Sequence, residues 1–509
     1  MREAIFSMKM TKKLLIANRG EIAVRIIRTC REMGIHTVAV YSDVDRLSPH
    51  VLMAEEAYHI GPPPSTESYL LGEKLIEIAL QSGCQAIHPG YGFLSENADF
   101  ARAVMEAGLI FIGPRPETIE LMGSKTASRK TMIDAGVPVV PGSKEAVQSL
   151  SQAEEIIASL GGYPILLKAA AGGGGKGMRV VKTASELSRA LEAAKGEALK
   201  AFGDDTVYIE KFVENPKHIE FQILADQHGN VIHLWERDCS IQRRHQKVIE
   251  ECPSKILTPE KRMEMGEIAR KAAQACGYVN AGTVEFLYDS DGSFYFLEMN
   301  TRLQVEHPVT EMVMGVDLVQ LQIKIAQNDP LPLQQDDIHP RGHALECRIN
   351  AEDVFNNFVP STGKITNLQH PEGPGIRVDS GIEAHSEITR YYDPMFAKLI
   401  VWAPSREDAL QKMLRALMEF RITGVQTTIP FCLSVLTHPE FRKGEFTTRF
   451  VDLYWDELKE SFMDEKEILD VLAAALACYR DTTRKFQTTT PQDGAAKSIS
   501  PWKLRALPR

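Results

Sequence analysis

Short apolar runs alternate with amphipathic stretches near the start of the chain. Residues 14–17 predict a buried strand, 21–33 carry apolar positions at helical spacing, and 37–41 predict a second strand. This order of strand, helix and strand is typical of an open parallel sheet. The first turn, at 18–20, holds one glycine, whereas a dinucleotide site needs the three of G-x-G-x-x-G. The sheet is therefore predicted to be a scaffold, and a dinucleotide-dependent oxidoreductase is disfavoured.

The pattern changes several times further along the chain. A strand at 86–87 leads into the turn-rich segment 88–97, at the carboxyl edge of the sheet, where such folds bind ligands. A helix is predicted from about 123 to 136, and strands with hairpins follow from 213. We predict a mixed α/β and α+β chain in four segments: 1–123, 124–340 with an α/β insert resembling a lid at about 140–212, 341–458, and a helical and basic tail at 459–509.

Composition narrows the class of protein. The 509 residues are 44% hydrophobic and 25% charged, which suits about three globular domains. The net charge of −10 argues against nucleic-acid binding. The eight cysteines form no C-x-x-C pair, so neither a zinc site nor a disulfide framework is indicated. Since no apolar run approaches the ~18 residues of a membrane span, we expect a cytoplasmic protein.

A glycine-rich stretch at 168–178 holds five glycines and two lysines. A Walker loop would place Ser or Thr after Lys176 and open a helix, but Gly177 follows and then a predicted strand. Backbone without side chains can approach phosphate oxygens and donate N–H bonds while staying mobile. The stretch therefore predicts a phosphate-binding flap; a hairpin tip without a ligand is the alternative.

A predicted hairpin brings two carboxylates together. Asp291-Gly292 between β-rich runs favours a two-residue loop, which would place Glu285 opposite Glu298. Because like charges directly opposed destabilise a sheet, a bound divalent cation explains the pair, and oxygen ligands favour Mg²⁺ or Mn²⁺. A bulged loop would shift this pairing by one residue.

Polar residues then recur at every second position from 298 to 306. While the chain stays extended, all of them point to one face of the strand. A solvated strand face is the alternative, but the mixture of carboxylates and a guanidinium indicates a site for an anion and a metal. The members of the series are Glu298, Asn300, Arg302, Gln304 and Glu306.

Several segments resemble the biotin carboxylase family, in the right order and over about 12–458. They are Lys168-Ala-Ala-Ala-Gly-Gly-Gly-Gly-Lys-Gly-Met178, 236–251 with its Arg-Arg-His-Gln-Lys, Phe296-Leu-Glu-Met-Asn-Thr-Arg-Leu-Gln-Val-Glu-His307, 342–352 and 88–97.

The resemblance implies an ATP-grasp fold: a pre-ATP-grasp N-terminal domain at 1–123, an ATP-grasp domain with a mobile lid at 124–340, and a biotin carboxylase C-terminal domain at 341–458. The implied reaction uses ATP, Mg²⁺ (or Mn²⁺) and bicarbonate to carboxylate biotin on a carrier protein through carboxyphosphate. The implied partners are a biotin carboxyl carrier protein, carboxyltransferase subunits and a second copy in a homodimer. We expect a subunit of acetyl-CoA or another acyl-CoA carboxylase; the alternatives are a pyruvate or 2-oxo acid carboxylase and, more distantly, another ATP-grasp carboxylate or carbamoyl ligase.

The resemblance also implies roles for individual residues. Arg302, Lys247, Gln304 and the Val305 backbone would orient bicarbonate, Glu306 would be the general base, and Arg348 would stabilise the biotin oxyanion. Glu285, Glu298 and Asn300 would hold magnesium. The nucleotide would contact Lys125, Lys168, Gly174, Gly175, Glu210, Lys211, Val213, His218, Gln242, His245 and, through the metal, Glu285 and Glu298.

The tail lies beyond the resemblance. Residues 464–480 predict a helix with an apolar side, and a basic segment rich in Thr, Pro and Ser follows from Thr482. Such a segment is typical of a mobile tail, and docking on an acidic partner is one of its possible roles.

Overall fold

The computed structural model describes residues 11–143, 145–169, 178–202 and 205–487. It divides into two compact units, Met1–Trp455 and Asp456–Arg509. Gly174 and Gly175, predicted to contact phosphate, lie outside the described residues. Within the described part of the chain, no helix is long and apolar enough to cross a membrane.

A five-stranded parallel sheet forms the N-terminal region, in the order β3-β2-β1-β4-β5. Alternate residues of β1 pack on opposite sides: Leu14 lies in a core with Ile26, whereas Leu15 lies in a core with Leu75 and Val104. Both faces are thus covered by helices, as the continuous apolar strands predict. The elements are β1 Lys13–Ile16, α1 Gly20–Glu32, β2 His36–Ser42, α2 Pro49–Met53, β3 Glu56–Gly61, α3 Gly72–Gln81, β4 Ala86–His88, α4 Ala98–Glu106, β5 Ile110–Phe111, α5 Pro116–Gly123 and α6 Lys125–Asp134.

The loops after β1 and β4 meet where the strand order reverses. Asn18 donates from Nδ2 to the carbonyl oxygens of Pro89 and Tyr91, at 2.7 and 2.8 Å. The single-glycine turn that fails as a dinucleotide site thus ties together the carboxyl edge of the sheet, the edge where such folds bind ligands.

A small α/β insert follows, as the sequence predicts. Its three strands are antiparallel in the order β7-β6-β8, and Leu167, Val207 and Leu191 share its apolar core. Lys168, the first residue of the glycine-rich stretch, is the second-last residue of β6. The elements are α7 Leu150–Ser159, β6 Ile165–Ala169, β7 Met178–Val181, α8 Ala184–Phe202 and β8 Val207–Lys211.

An eight-stranded antiparallel sheet, formed by strands within residues 217–403, has the order β13-β12-β9-β10-β11-β14-β21-β19. It crosses the boundary predicted at 340, because β11 pairs with β14; the domain limits themselves stay predictions. Its elements up to β14 are β9 Lys217–Ala225, β10 Val231–Arg243, β11 Gln246–Cys252, α9 Pro259–Ala275, β12 Asn280–Tyr288, β13 Phe294–Asn300, α10 His307–Met314, α11 Leu318–Ala326 and β14 His343–Asn350.

The C-terminal region adds two strands to that sheet and several short strand pairs. The remaining elements of the chain are β15 Glu352–Asp353, β16 Val359–Pro360, β17 Gly363–Lys364, β18 Asn367–Gln369, β19 Ile376–Ser380, β20 Glu387–Ile388, β21 Met395–Ala403, α12 Arg406–Glu419, β22 Arg421–Thr423, α13 Ile429–Thr437, α14 Pro439–Lys443 and α15 Phe450–Gln487. The helix predicted at 464–480 lies within α15, where Leu472 and Leu476 are exposed.

The β12–β13 hairpin differs from its predicted form. Its loop has three residues, because Asp289 N donates to Ser293 O and Gly292 N donates to Asp289 O. A bulge at Leu297, which has no partner on β12, then adds one residue to β13. The two irregularities cancel, so Glu285 does lie opposite Glu298.

The alternating series also leaves the strand earlier than predicted. β13 ends at Asn300, turns follow, and α10 begins at His307. The extended conformation predicted for 301–306 is therefore wrong, because the chain turns there to enter a helix.

Candidate active site

A cleft of about 1560 Å³ gathers most of the predicted site residues. It lies over the polar face of the large sheet, whose opposite face packs Phe221 and Val284 against α9. Glu306 is fully buried behind the wall of the cleft. The predicted residues that line it are Lys125, Lys168, Glu210, Lys211, Val213, His218, Gln242, His245, Lys247, Glu285, Glu298, Asn300, Arg302, Gln304, Val305 and Arg348.

Lys247 on β11 is the centre of the polar cluster. Its Nζ donates to Glu220, Glu285 and Glu306, at 2.5, 2.9 and 2.7 Å. Burial alone would lower the pKa of Lys247, but the three carboxylates raise it well above its usual value. The ammonium group therefore stays charged and holds side chains from three segments of the chain together.

Glu285 collects further donors from the β13 side. Asn300 Nδ2 and Gln304 Nε2 both donate to its Oε1, at 2.9 and 3.0 Å. His218 Nε2 lies 3.0 Å from Oε2. Burial would lower the pKa of His218, but the Glu285 carboxylate raises it to about 9, so this imidazole is cationic at neutral pH.

The proposed metal ligands suit a hard divalent cation. Glu285 on β12 and Glu298 on β13 are direct partners across the two strands. Burial raises the pKa of Glu298, and the Glu285 carboxylate raises it further. A cation between them would remove that repulsion. Two carboxylates and the Asn300 amide oxygen form an oxygen-only donor set, which fits Mg²⁺ or Mn²⁺.

Arg302 is held in place by a residue from the N-terminal region. Its Nε donates to Glu96 Oε2 at 2.9 Å, its Nη2 to Asn300 Oδ1 at 3.0 Å and its Nη1 to Gln304 Oε1 at 3.2 Å. The guanidinium plane is thus fixed beside the predicted metal ligands, in a form suited to a planar anion.

Glu306 lies between two cations. Lys247 donates to its Oε1, and Arg348 Nη2 donates to its Oε2 at 2.9 Å. Burial would raise the pKa of Glu306, but Lys247 and then Arg348 hold it below its usual value despite the nearby Glu220. Glu306 is therefore ionised at neutral pH and able to accept a proton.

The insert and a tight hairpin form the other wall of the cleft. Lys168 Nζ donates to Glu210 Oε2 at 2.8 Å, so a predicted phosphate contact and a predicted adenine contact meet directly. Burial and the neighbouring Lys168 lower the pKa of Lys125. His245 lies in the two-residue turn between β10 and β11, where it and Arg244 have positive φ angles of 66° and 50°.

Sequence reasoning missed several buried residues of this cluster. Arg237 is fully buried and donates to Glu220 at 2.6 Å and to Gln222 at 2.8 Å. Glu250 accepts from Arg348. The alternation His218, Glu220, Gln222 along β9 was a usable signal, because it repeats the pattern that identified the β13 series.

Comparison with known proteins identifies the family. Models described as biotin carboxylase N-terminal domain, carbamoyl-phosphate synthase L chain ATP binding domain and biotin carboxylase C-terminal domain match residues 10–119, 124–334 and 346–453. The chain is 55% identical over 439 residues to a biotin carboxylase of Nostoc sp., covering 86% of this chain and 98% of that one. It is 52% identical over 467 residues to a pyruvate carboxylase subunit of Methanothermobacter thermautotrophicus, covering 91% and 95%.

A solved structure shows the same similarity. The biotin carboxylase domain dimer of 2-oxoglutarate carboxylase from Hydrogenobacter thermophilus, in complex with MgADP, ADP and bicarbonate, matches with a TM-score of 0.83 and 52% identity. The match covers 88% of this chain and 99% of that one.

Proposed function

Because the chain belongs to the biotin carboxylase family, we propose that it carboxylates carrier-bound biotin as one subunit of a multisubunit carboxylase. It is an ATP-dependent ligase, and its substrates and cofactors are ATP, Mg²⁺, bicarbonate and biotin. The observation that supports the residue assignments best is the position of Glu306, a carboxylate buried behind the wall of the cleft that accepts from Lys247 and Arg348, both of which line the cleft.

Bicarbonate is oriented by Arg302, Gln304, the Val305 backbone and Lys247. The guanidinium of Arg302 is pre-positioned by Glu96, so little side-chain freedom is lost when the anion binds. A bicarbonate that draws Lys247 away from Glu306 removes the cation that depresses the pKa of this carboxylate most, while Arg348 stays in contact with it. Glu306 then becomes a stronger base as its substrate arrives.

Glu306 accepts the bicarbonate proton, and the resulting oxygen nucleophile attacks the γ-phosphorus of ATP in line. The P–O bond to ADP breaks, and carboxyphosphate and ADP are the products of this step. Mg²⁺ held by Glu285, Glu298 and Asn300 would supply charge neutralisation for the phosphates. Lys125 and Lys168 both line the cleft, and they lie close enough for Lys168 to lower the pKa of Lys125. They supply two cations for the phosphates.

Arg348 serves the second half of the reaction. Breakdown of carboxyphosphate releases CO₂ and a phosphate that removes the ureido N–H proton of biotin, and negative charge develops on the ureido oxygen. The deprotonated nitrogen then bonds to the carbon of CO₂ to give carboxybiotin. A guanidinium directed at the site of developing charge stabilises it. Arg348 lines the cleft while Glu250 and Glu306 hold it from behind.

The final carboxyl acceptor has two candidates. Acetyl-CoA or another acyl-CoA is the first. A 2-oxo acid such as pyruvate is the second, supported by the similarity to the pyruvate carboxylase subunit. In both cases the partners are a biotin carboxyl carrier protein and carboxyltransferase subunits, and a homodimer is proposed from the dimeric structural neighbour. Cytoplasmic location stays a prediction.

The proposal is tested by measuring ADP formation by the purified chain with free biotin, with and without bicarbonate. We expect ADP formation to depend on bicarbonate and carboxybiotin to accumulate; ATP hydrolysis without either response would contradict the proposal. Assays with the co-purifying carrier and transferase subunits, using acetyl-CoA, pyruvate and 2-oxoglutarate in turn, then distinguish the acceptors.

A further inference from the structure

Glu346 is a buried carboxyl group that the mechanism above does not use. It lies on β14, in the interior of the large sheet, and is 0% exposed. Among the residues that the structure describes, neither of its side-chain oxygens has a hydrogen-bond partner. Because a buried polar group without a partner costs free energy, a specific protonation state or role is expected for this one.

Glu250 faces Glu346 from the neighbouring strand. The two residues are direct partners in the antiparallel pairing of β11 with β14, so their side chains lie on the same face, with Cβ atoms about 5 Å apart. Glu250 Oε1 accepts from Arg348 Nε at 2.6 Å, whereas Oε2 has no partner within the described parts of the chain. Three unpartnered carboxyl oxygens thus belong to two facing, fully buried residues.

The surrounding charges favour one proton on this pair. The charged groups that act on Glu346 are Lys398 on β21, Glu250 on β11, Arg348 on its own strand and Glu306 before α10. Lys398 is committed elsewhere, since it donates to Val305 O at 2.8 Å and lies 3.2 Å from Glu21. Two ionised carboxylates that face each other in the fully buried interior would repel strongly, so one of them holds a proton.

The groups on α10, which covers this face, do not offset that repulsion. His307 lies 2.8 Å from Gln304 O through Nδ1, and burial, Lys398 and Arg25 keep its pKa well below the usual value, so it is neutral. Glu311 accepts from Arg25 and Arg377.

We propose that Glu250 and Glu346 form a carboxyl pair sharing one proton, and that this pair positions the Arg348 guanidinium from behind the cleft. The positioning half rests on the proposed function of Arg348; the shared proton does not.

The directions of the pKa shifts agree with this arrangement. Burial raises the pKa of Glu346 well above its usual value, and burial raises that of Glu250 to about 7 although Arg348 opposes the shift. Because Arg348 contacts Glu250 and stabilises its ionised form, Glu346 is the member that holds the proton, and its O–H is available to Glu250 Oε2. Glu250 stays anionic toward Arg348, which is held at Nε by Glu250 and at Nη2 by Glu306.

Infrared difference spectroscopy tests the proton without reference to activity. We compare the full-length protein with Glu346→Gln at pH 8 and expect a protonated-carboxyl C=O band, sensitive to deuterium exchange, that the variant lacks. The control is Glu387→Gln, which alters an exposed carboxyl group on β20 and should keep the band. If the wild-type protein shows no such difference from Glu346→Gln, the shared proton is refuted.

Kinetics of two replacements test the positioning role. Glu346→Gln keeps a neutral hydrogen-bonding side chain, so kcat/KM for biotin should stay within about twofold of wild type. Glu346→Leu is also neutral but cannot hydrogen bond, so kcat/KM for biotin should fall about tenfold, and bicarbonate-dependent ATP hydrolysis should fall less. Nucleotide affinity checks that both variants fold.

Equal and large losses in the Gln and Leu variants would show that an ionised Glu346 is needed, which overturns the proposal. Unchanged kinetics in both would remove Glu346 from the positioning of Arg348. If the Leu variant does not fold, the Gln variant and the infrared band still decide. A wild-type protein that does not carboxylate biotin would instead refute the proposed function, while the band would remain a valid test of the pair.

Discussion

Replacing Glu306 with glutamine is the sharpest test of the proposed chemistry. The change preserves the volume of a fully buried side chain and removes its charge. Removal of a general base costs typically about 10²- to 10⁴-fold in rate. At 1.36 kcal/mol for each factor of ten, this corresponds to about 3 to 5 kcal/mol of transition-state stabilisation.

The structure predicts that the variant folds and still binds nucleotide. Lys247 keeps the carboxylates of Glu220 and Glu285, and Arg348 keeps that of Glu250, so neither cation is left buried without a partner. The Lys168–Glu210 contact lies on the other wall of the cleft. Bicarbonate-dependent ADP formation should therefore fall at least 100-fold, whereas the Kd for ADP should change less than threefold.

Glu311→Gln is a matched control. Like Glu306, which immediately precedes α10, Glu311 on α10 is buried. It too accepts hydrogen bonds from two cations, Arg25 and Arg377, each at 2.7 Å. The control should lose stability but keep kcat within about threefold, because its partners Arg25 and Arg377 do not line the cleft, whereas Lys247 and Arg348 do. If Glu306→Gln retains more than a fifth of wild-type turnover, or if Glu311→Gln loses as much activity, a specific role for Glu306 as base is refuted.

Three further changes test separate parts of the structure. Arg348→Ala should impair biotin carboxylation more than ATP cleavage, and equal losses in the two assays would reject its role as oxyanion stabiliser. Arg237→Met removes a fully buried guanidinium and should lower the free energy of unfolding by about 3 to 5 kcal/mol. Arg102→Met, which breaks an exposed ion pair, should lower it by less than about 1 kcal/mol, and thermal unfolding of the two variants tests the difference. Burial lowers the pKa of His50 to about 4 in the folded state, so only the unfolded chain binds a proton at this residue between pH 7.5 and 5.5. The free energy of unfolding should therefore fall by about 1.3 kcal/mol for His50 as the pH drops through this range. The fall should be smaller in His50→Gln.

Much of the fold could be predicted because its sequence periods are strong. The apolar strand 14–17 and the helix after it occur as β1 and α1, and the strand after the glycine-rich stretch occurs as β7 Met178–Val181. The continuity of the large sheet could not be predicted, because the pairing of β11 with β14 joins residues about 100 positions apart. Local periodicity contains no information about such a partner.

The sequence predicts the correct pair of facing carboxylates but the wrong length for the hairpin loop. The three-residue loop shifts the register by one residue, and Leu297, the added residue of β13, shifts it back. The Asp-Gly motif specifies that the chain reverses but only favours one loop length. The facing of Glu285 and Glu298 is thus a property of the finished sheet, and the bulge is the feature that restores it.

Charge states are the part of the site that residue identity leaves open. Glu306 and Glu346 are both fully buried glutamates, but their pKa values move in opposite directions. Glu306 has Lys247 and Arg348 in direct contact, and these cations outweigh the cost of removing its charge from water. Glu346 has no such contact among the described residues, so burial dominates. Glu306, which contacts Arg348, is therefore an ionised base, whereas Glu346, two residues before Arg348 on β14, is a neutral acid, and only the three-dimensional position of the cations distinguishes them.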